Sequence, residues 1–158
     1  MSPPSPAPLS FPLPVVLDTN VVLDIWVFND PVTRPLAQAL EEGALTAWAN
    51  AETLLELEQV LTLPIFKLDA SAQRTVQARY QGLVHRVSES SLAPLPELPR
   101  CRDRDDQKFL VLAAHASAAW LVSKDKRLLS LTDRHGLPFA ILSPKQAAEA
   151  FRLARGSG

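Results

Sequence analysis

The chain has 158 residues, 47% of them apolar and 21% charged, which predicts one globular domain able to bury about 70% of its unfolded surface without covalent staples. A single cysteine, Cys101, excludes an internal disulfide framework, and no run approaches the roughly 20 apolar residues of a membrane span. The net charge of −1 excludes a global nucleic-acid footprint, although residues 100–135 gather eight Lys and Arg against five acids.

The start of the chain lacks the basic stretch of a secretory signal, and with the cysteine usage this predicts a cytoplasmic protein. Residues 1–14 hold six of the fourteen prolines and are expected to form an extended lead-in outside the fold, leaving residues 15–155 as the domain. Val15-Val16-Leu17 reads as a strand buried on both faces, because apolar residues follow one another without alternation. Asp18 then stands at its carboxyl end, and Thr19 and Asn20 are expected to cap and open a helix over Val21–Phe28. Asp24, four residues beyond Asn20, shares its helix face and is expected at the surface.

Asn29-Asp30-Pro31 breaks the chain before a helix that runs to Glu42 and ends on Gly43. A short strand over Ala44–Ala49 leads to Asn50, the expected cap of a helix over Ala51–Leu61 with Leu54, Leu57 and Leu61 on its core face. After a break at Pro64, Ser71 opens a helix predicted to reach Val87, and residues 88–102 read as a Ser- and Pro-rich loop. A helix over Arg104–Ser117 and a strand over Trp120–Ser123 follow. A turn at Lys124-Asp125 then leads to a short helix over Lys126–Leu131 and a last strand over Phe139–Leu142. Ser143 caps the final helix, with Pro144 at its first position. Strands alternating with helices predict an α/β fold whose parallel sheet is covered on both faces.

Four acids fall where such a sheet would gather them. Asp18 and Asp125 each follow an apolar strand, so parallel strands bring both to one edge. Asp106 shares a helix face with Phe109, Leu110 and Ala113, and Glu56 lies mid-helix among leucines, with Glu52 and Glu58 as competitors for its place. Carboxylates converging in this way repel one another unless they hold a hard divalent cation. Each has a plainer reading: Asp103 and Asp106 are spaced as a cap and its third helical residue, Asp125 can cap the helix after it, and Glu56 can be an exposed helical acid. Asp18 is the hardest to explain as structure alone, because a buried strand end is a costly place for a charge.

Four stretches together resemble the PIN-domain family, and within it the toxin components of toxin–antitoxin systems: VVLDTNVVLDIWV (15–27), LLELEQVL (54–61), RDRDDQKFLVLAAHASAAWLVSKDKRLLSL (102–131) and ILSPKQAAEAF (141–151). The resemblance implies a three-layer α/β/α sandwich with a mostly parallel sheet, and an endoribonuclease dependent on Mg²⁺ or Mn²⁺. It assigns the four acids to Asp18, Glu56, Asp106 and Asp125 as catalytic residues and metal ligands, with Thr19, Asn20, Asp103 and Ser123 in support. Where the family more often has Thr and Gly, this chain has Ser123 and Lys124. Ser123 keeps the hydroxyl; Lys124 adds a cation that either weakens metal binding or contacts RNA phosphate. Arg104, Lys108, Lys124 and Lys126 are the expected phosphate contacts. The resemblance also implies RNA as substrate, an antitoxin protein as partner and a homodimer.

Two other readings compete. A metal-dependent phosphatase with an Asp nucleophile wants a second Asp two residues on, where this chain has Asn20. A catalytically degenerate domain of the same fold would bind RNA or a protein partner without cutting.

Overall fold

The computed structural model describes residues 11–87, 98–99, 104–132 and 137–156. Five strands, β1 (Leu13–Leu17), β2 (Leu45–Ala49), β3 (His85–Arg86), β4 (Trp120–Val122) and β5 (Ala140–Leu142), form one sheet in the order β3-β2-β1-β4-β5. Every neighbouring pair is parallel. Helices α1 (Thr19–Trp26), α2 (Arg34–Glu42), α3 (Ala51–Leu61), α4 (Ala70–Leu83), α5 (Arg104–His115), α6 (Lys126–Leu129) and α7 (Pro144–Gly156) make the crossovers and the outer layers. The expected three-layer α/β/α architecture is the observed one.

Two cores, one on each face, explain why the strand sequences do not alternate. Val15 and Leu17 of β1 pack with Trp120 and Val122 of β4 beneath α1, α2, α3, α4 and α7. Val16, Leu121 and Ile141 point to the other face, beneath α5 and α6. Successive side chains thus leave on opposite sides, as the pleat requires, and both sides are apolar because both are covered.

Local signals set most element ends. Asn50 and Thr53 form a reciprocal capping pair at the start of α3, and Ser143 and Gln146 exchange backbone bonds in the same way at the start of α7. Gly43 closes α2 in the left-handed region at φ 81°, a conformation glycine adopts without a Cβ penalty.

Several element ends differ from the sequence reading by one or two residues, and three differences bear on the sheet and its core. β1 starts at Leu13, not Val15: Leu13 is buried and pairs with Leu45, while Pro14, which lacks an N–H, contributes its carbonyl to the Ala119 N–H. Helix α4 ends at Leu83, and His85-Arg86 pair with Trp48-Ala49 as a two-residue strand. Both strand residues are exposed and the segment is too short to show a period, so the helical pattern ran on past its true end. Phe139 stands outside β5 but is buried in the second core.

Leu121, at the centre of β4 and fully buried, tests the second core. Leu121→Ala is expected to destabilise the chain by about 2–5 kcal/mol, read as a lower urea midpoint with an unchanged slope.

Candidate active site

The strand order reverses at β1: β2 and β3 are laid on one side of it, β4 and β5 on the other. In open parallel sheets the crevice outside the carboxyl ends of such strands is where ligands bind. Asp18 follows β1 at this point, and its N–H continues the ladder to the Val122 carbonyl at 3.0 Å. The ladder holds residue 18 extended, which is the conformation of a helix cap, and Asp18 Oδ1 accepts the Val21 N–H at 3.1 Å. Asp18 therefore takes the capping role expected of Thr19 and Asn20; Thr19 is already helical and buried, and Asn20 is exposed.

Oδ2 of Asp18 accepts a short hydrogen bond from the hydroxyl of Ser123, which is wholly buried just past β4. Asp18 is only 4% exposed. Burial pushes its carboxyl above the ordinary range; bonds from Ser123, Val21 and Asn20 pull it back only in part, and the charge of Asp125 adds to the rise.

The same Ser123 oxygen accepts the Asp125 N–H at 3.0 Å, so one hydroxyl ties the two strand-end acids together. Asp125 caps α6 by accepting the Arg127 N–H at 2.8 Å. Its carboxyl lies below the usual range, chiefly through a hydrogen bond with Asp106. Asp106, half-buried in the first turn of α5, is thereby joined to the strand-end pair.

Glu56 reaches the same corner from α3. Its Oε2 accepts the Thr19 hydroxyl at 2.8 Å, one residue from Asp18, and its Oε1 lies 3.2 Å from the Lys108 ammonium. Glu52 and Glu58 are exposed, which removes them as competitors.

Two of the four expected phosphate-contacting residues are committed to acids instead. Lys108, with its side chain only 12% exposed, pairs with Glu56; Lys124 pairs with Asp24 at 2.7 Å. Asp24 is 5% exposed, not a surface residue as its spacing suggested. Nothing in the local sequence signals this burial, because its partner lies a hundred residues away. Lys126 is exposed. Asp103 and the side chain of Arg104 lie outside the described residues.

The donors at this edge are carboxylate and hydroxyl oxygens, a set suited to a hard divalent cation rather than a soft metal. Among the described residues no three acidic, His or Cys side chains form a ready-made metal cage. Asp18 and Asp125 are instead linked through the Ser123 hydroxyl.

A family model described as a PIN domain matches residues 14–127, more than two thirds of the chain. No curated protein matches the chain. Among the described residues no helix is long and apolar enough to cross a membrane.

The raised Asp18 carboxyl makes stability depend on pH with a definite sign. Below the ordinary value of 3.8, folded and unfolded chains both hold the proton and burial carries no ionic penalty. As pH rises from there to the higher folded value, the unfolded chain ionises first and stability falls; above it the penalty is complete. Asn caps a helix as well as Asp does. Asp18→Asn is therefore expected to melt higher than the wild type at neutral pH, with the difference closing on acidification, as followed by thermal denaturation.

Proposed function

This chain belongs to the PIN-domain family, and from that premise we propose that it is a divalent-metal-dependent endoribonuclease acting at the β1–β4 edge. PIN domains are in general nucleases that act on nucleic acid. The observation that carries the reading is the meeting of Asp18 and Asp125 at one sheet edge, both bonded to the Ser123 hydroxyl, with Asp106 acting on the Asp125 carboxyl from α5. Such a concentration of negative charge destabilises the fold, and ligand binding is the use that accounts for it.

Asp18, Asp106 and Asp125 would hold the ion, with Glu56 at the margin of the site. When bound, the ion acidifies a water and stabilises charge on the phosphorus under attack. Ser123 ties the Asp18 carboxylate to the backbone N–H of Asp125. Thr19 and Lys108 together engage both oxygens of Glu56, so that it presents one orientation to an approaching water or phosphate. By resemblance to the family, in-line attack would expel the 3′ oxygen and leave a 5′-phosphate and a 3′-hydroxyl.

Purified protein is expected to cut single-stranded RNA with Mn²⁺ or Mg²⁺, to stop with EDTA, and to lose the activity to background as Asp18→Asn. An inert wild type would favour the rival reading, a domain that binds RNA or a protein without cutting; the pairing of Glu56 with Lys108 is the observation on its side.

Lys108 separates its two roles. As the counter-ion of Glu56, its replacement in Lys108→Gln should tighten Mn²⁺ binding severalfold and leave the salt dependence of RNA binding unchanged. As a phosphate contact, it would instead reduce the salt slope by about 0.7.

The finer assignment, a toxin neutralised by an antitoxin and acting as a homodimer in the cytoplasm, rests on the four stretches that resemble that branch. Induced expression of the wild type should then arrest growth and expression of Asp18→Asn should not; equal slowing by both would remove a catalytic toxin.

A further inference from the structure

Asp24 takes no part in the acid set described above, and yet it is a buried carboxylate in α1 between Leu23 and Ile25, both in the core. Its Oδ2 is shut off from solvent, and the Lys124 ammonium reaches it from a side chain that is itself 48% exposed. Drawing a long, well-hydrated cation down onto a buried acid is costly in order and in desolvation, so the pair calls for a reason.

The reason lies in what flanks Lys124. Ser123 before it bonds Asp18, the cap of α1; Asp125 after it caps α6 and is bonded to Asp106. The three-residue turn Ser123-Lys124-Asp125 is thus gripped by α1 at two points, at Asp18 through the serine and at Asp24 through the lysine. The Ser123 N–H also holds the Leu142 carbonyl and the Asp125 carbonyl opens α6, so both ends of the turn are anchored; the Lys124–Asp24 contact adds the grip at its middle and sets how the peptide between them faces α1. Asp24 also anchors the other end of its own helix, since its carbonyl accepts the Asp30 N–H at 2.9 Å.

We infer that Asp24 and Lys124 are a positioning pair that sets the Asp125 carboxylate for metal binding, and that Lys124 is neither an RNA phosphate contact nor an electrostatic hindrance to the ion. The inference rests on the nuclease reading for its function, but the clamp itself can be observed without it.

Charge and position predict different outcomes, which makes the test decisive. Lys124→Gln removes a cation, so charge alone would tighten Mn²⁺ binding; loss of the clamp loosens it. Asp24→Asn combined with Lys124→Gln leaves the net charge unchanged, so charge alone predicts wild-type affinity. The clamp predicts that each single variant and the double lose about 10–100-fold in Mn²⁺ affinity by calorimetry. The double should be no worse than the poorer single, and Lys124→Arg should restore most of the loss. The exchange rate of the Asp125 amide, followed by NMR, should rise in the same variants and not in Lys124→Arg. The partly exposed Lys124 gives a variant that keeps its fold if Asp24→Asn does not.

Wild-type affinity in Lys124→Gln and in the double variant, with an unchanged Asp125 amide, would overturn the inference. So would a smaller RNA-binding salt slope in Lys124→Gln with metal affinity intact, which marks a phosphate contact. A wild type that neither binds Mn²⁺ nor cuts RNA, but whose Asp125 amide loses protection in both single variants, would remove the nuclease and leave the clamp standing.

Discussion

The buried carboxylate of Asp18 is costly to ionise, and the arrangement around it follows from that cost. It ends a strand whose preceding residues are entirely enclosed, and three donors do not restore to its charged form what water would give it. Which donors it meets depends on register. Val15, Val16 and Leu17 lie opposite Trp120, Leu121 and Val122, so residue 18 emerges beside residue 123. A slip of one residue would send Val16 and Leu121 to the wrong core and move the serine off the acid. The two apolar faces of the sheet therefore fix the contact between the polar residues, although they touch neither side chain's polar atoms.

Helix capping and site building are the same act here. Asp18 caps α1 and Asp125 caps α6, each through Oδ1, and both acids benefit from the positive end of the helix they open. Capping by itself would be served by any of several residues, and only one oxygen of each acid is used for it. What distinguishes these caps is the second relationship each carries, Asp18 with Ser123 and Asp125 with Asp106. Reading a strand-end acid as either a cap or a ligand poses a choice that the geometry does not require.

The sequence disclosed much of what depends on neighbours in the chain. The carboxyl end of the strand that delivers Asp18, the Asn50 cap and the Gly43 terminus are local and stand where composition and spacing put them, whereas the start of that strand and the capping role of Asp18 itself were missed. The PIN-like order of motifs then named the four acids. What stayed hidden was set across the fold. Lys108 and Lys124 read as free cations because a lysine's partner is chosen by packing; their acids lie on α3 and α1. Asp24 read as a surface residue because its spacing from Asn20 says which face it shares but not what covers that face. The strand β3 was missed because two exposed residues carry no periodicity, and only the edge of β2 makes them a strand.

The pairing of the lysines also changes the meaning of the basic stretch over residues 100–135. Read along the chain, it offers cations to RNA. Read in the fold, two of those cations are spent on acids: Lys108 lowers the charge at Glu56, and Lys124 that at Asp24. Asp18 and Asp125 meet instead at the Ser123 hydroxyl, which one reaches through its carboxylate and the other through its backbone N–H. A small divalent cation is the charge-matched ligand for such a set under the proposed reading, and a monovalent ammonium at the end of a flexible chain is not. Lys108 is then placed to neutralise an acid at the margin of the site, and Lys124 to hold the turn that carries Asp125.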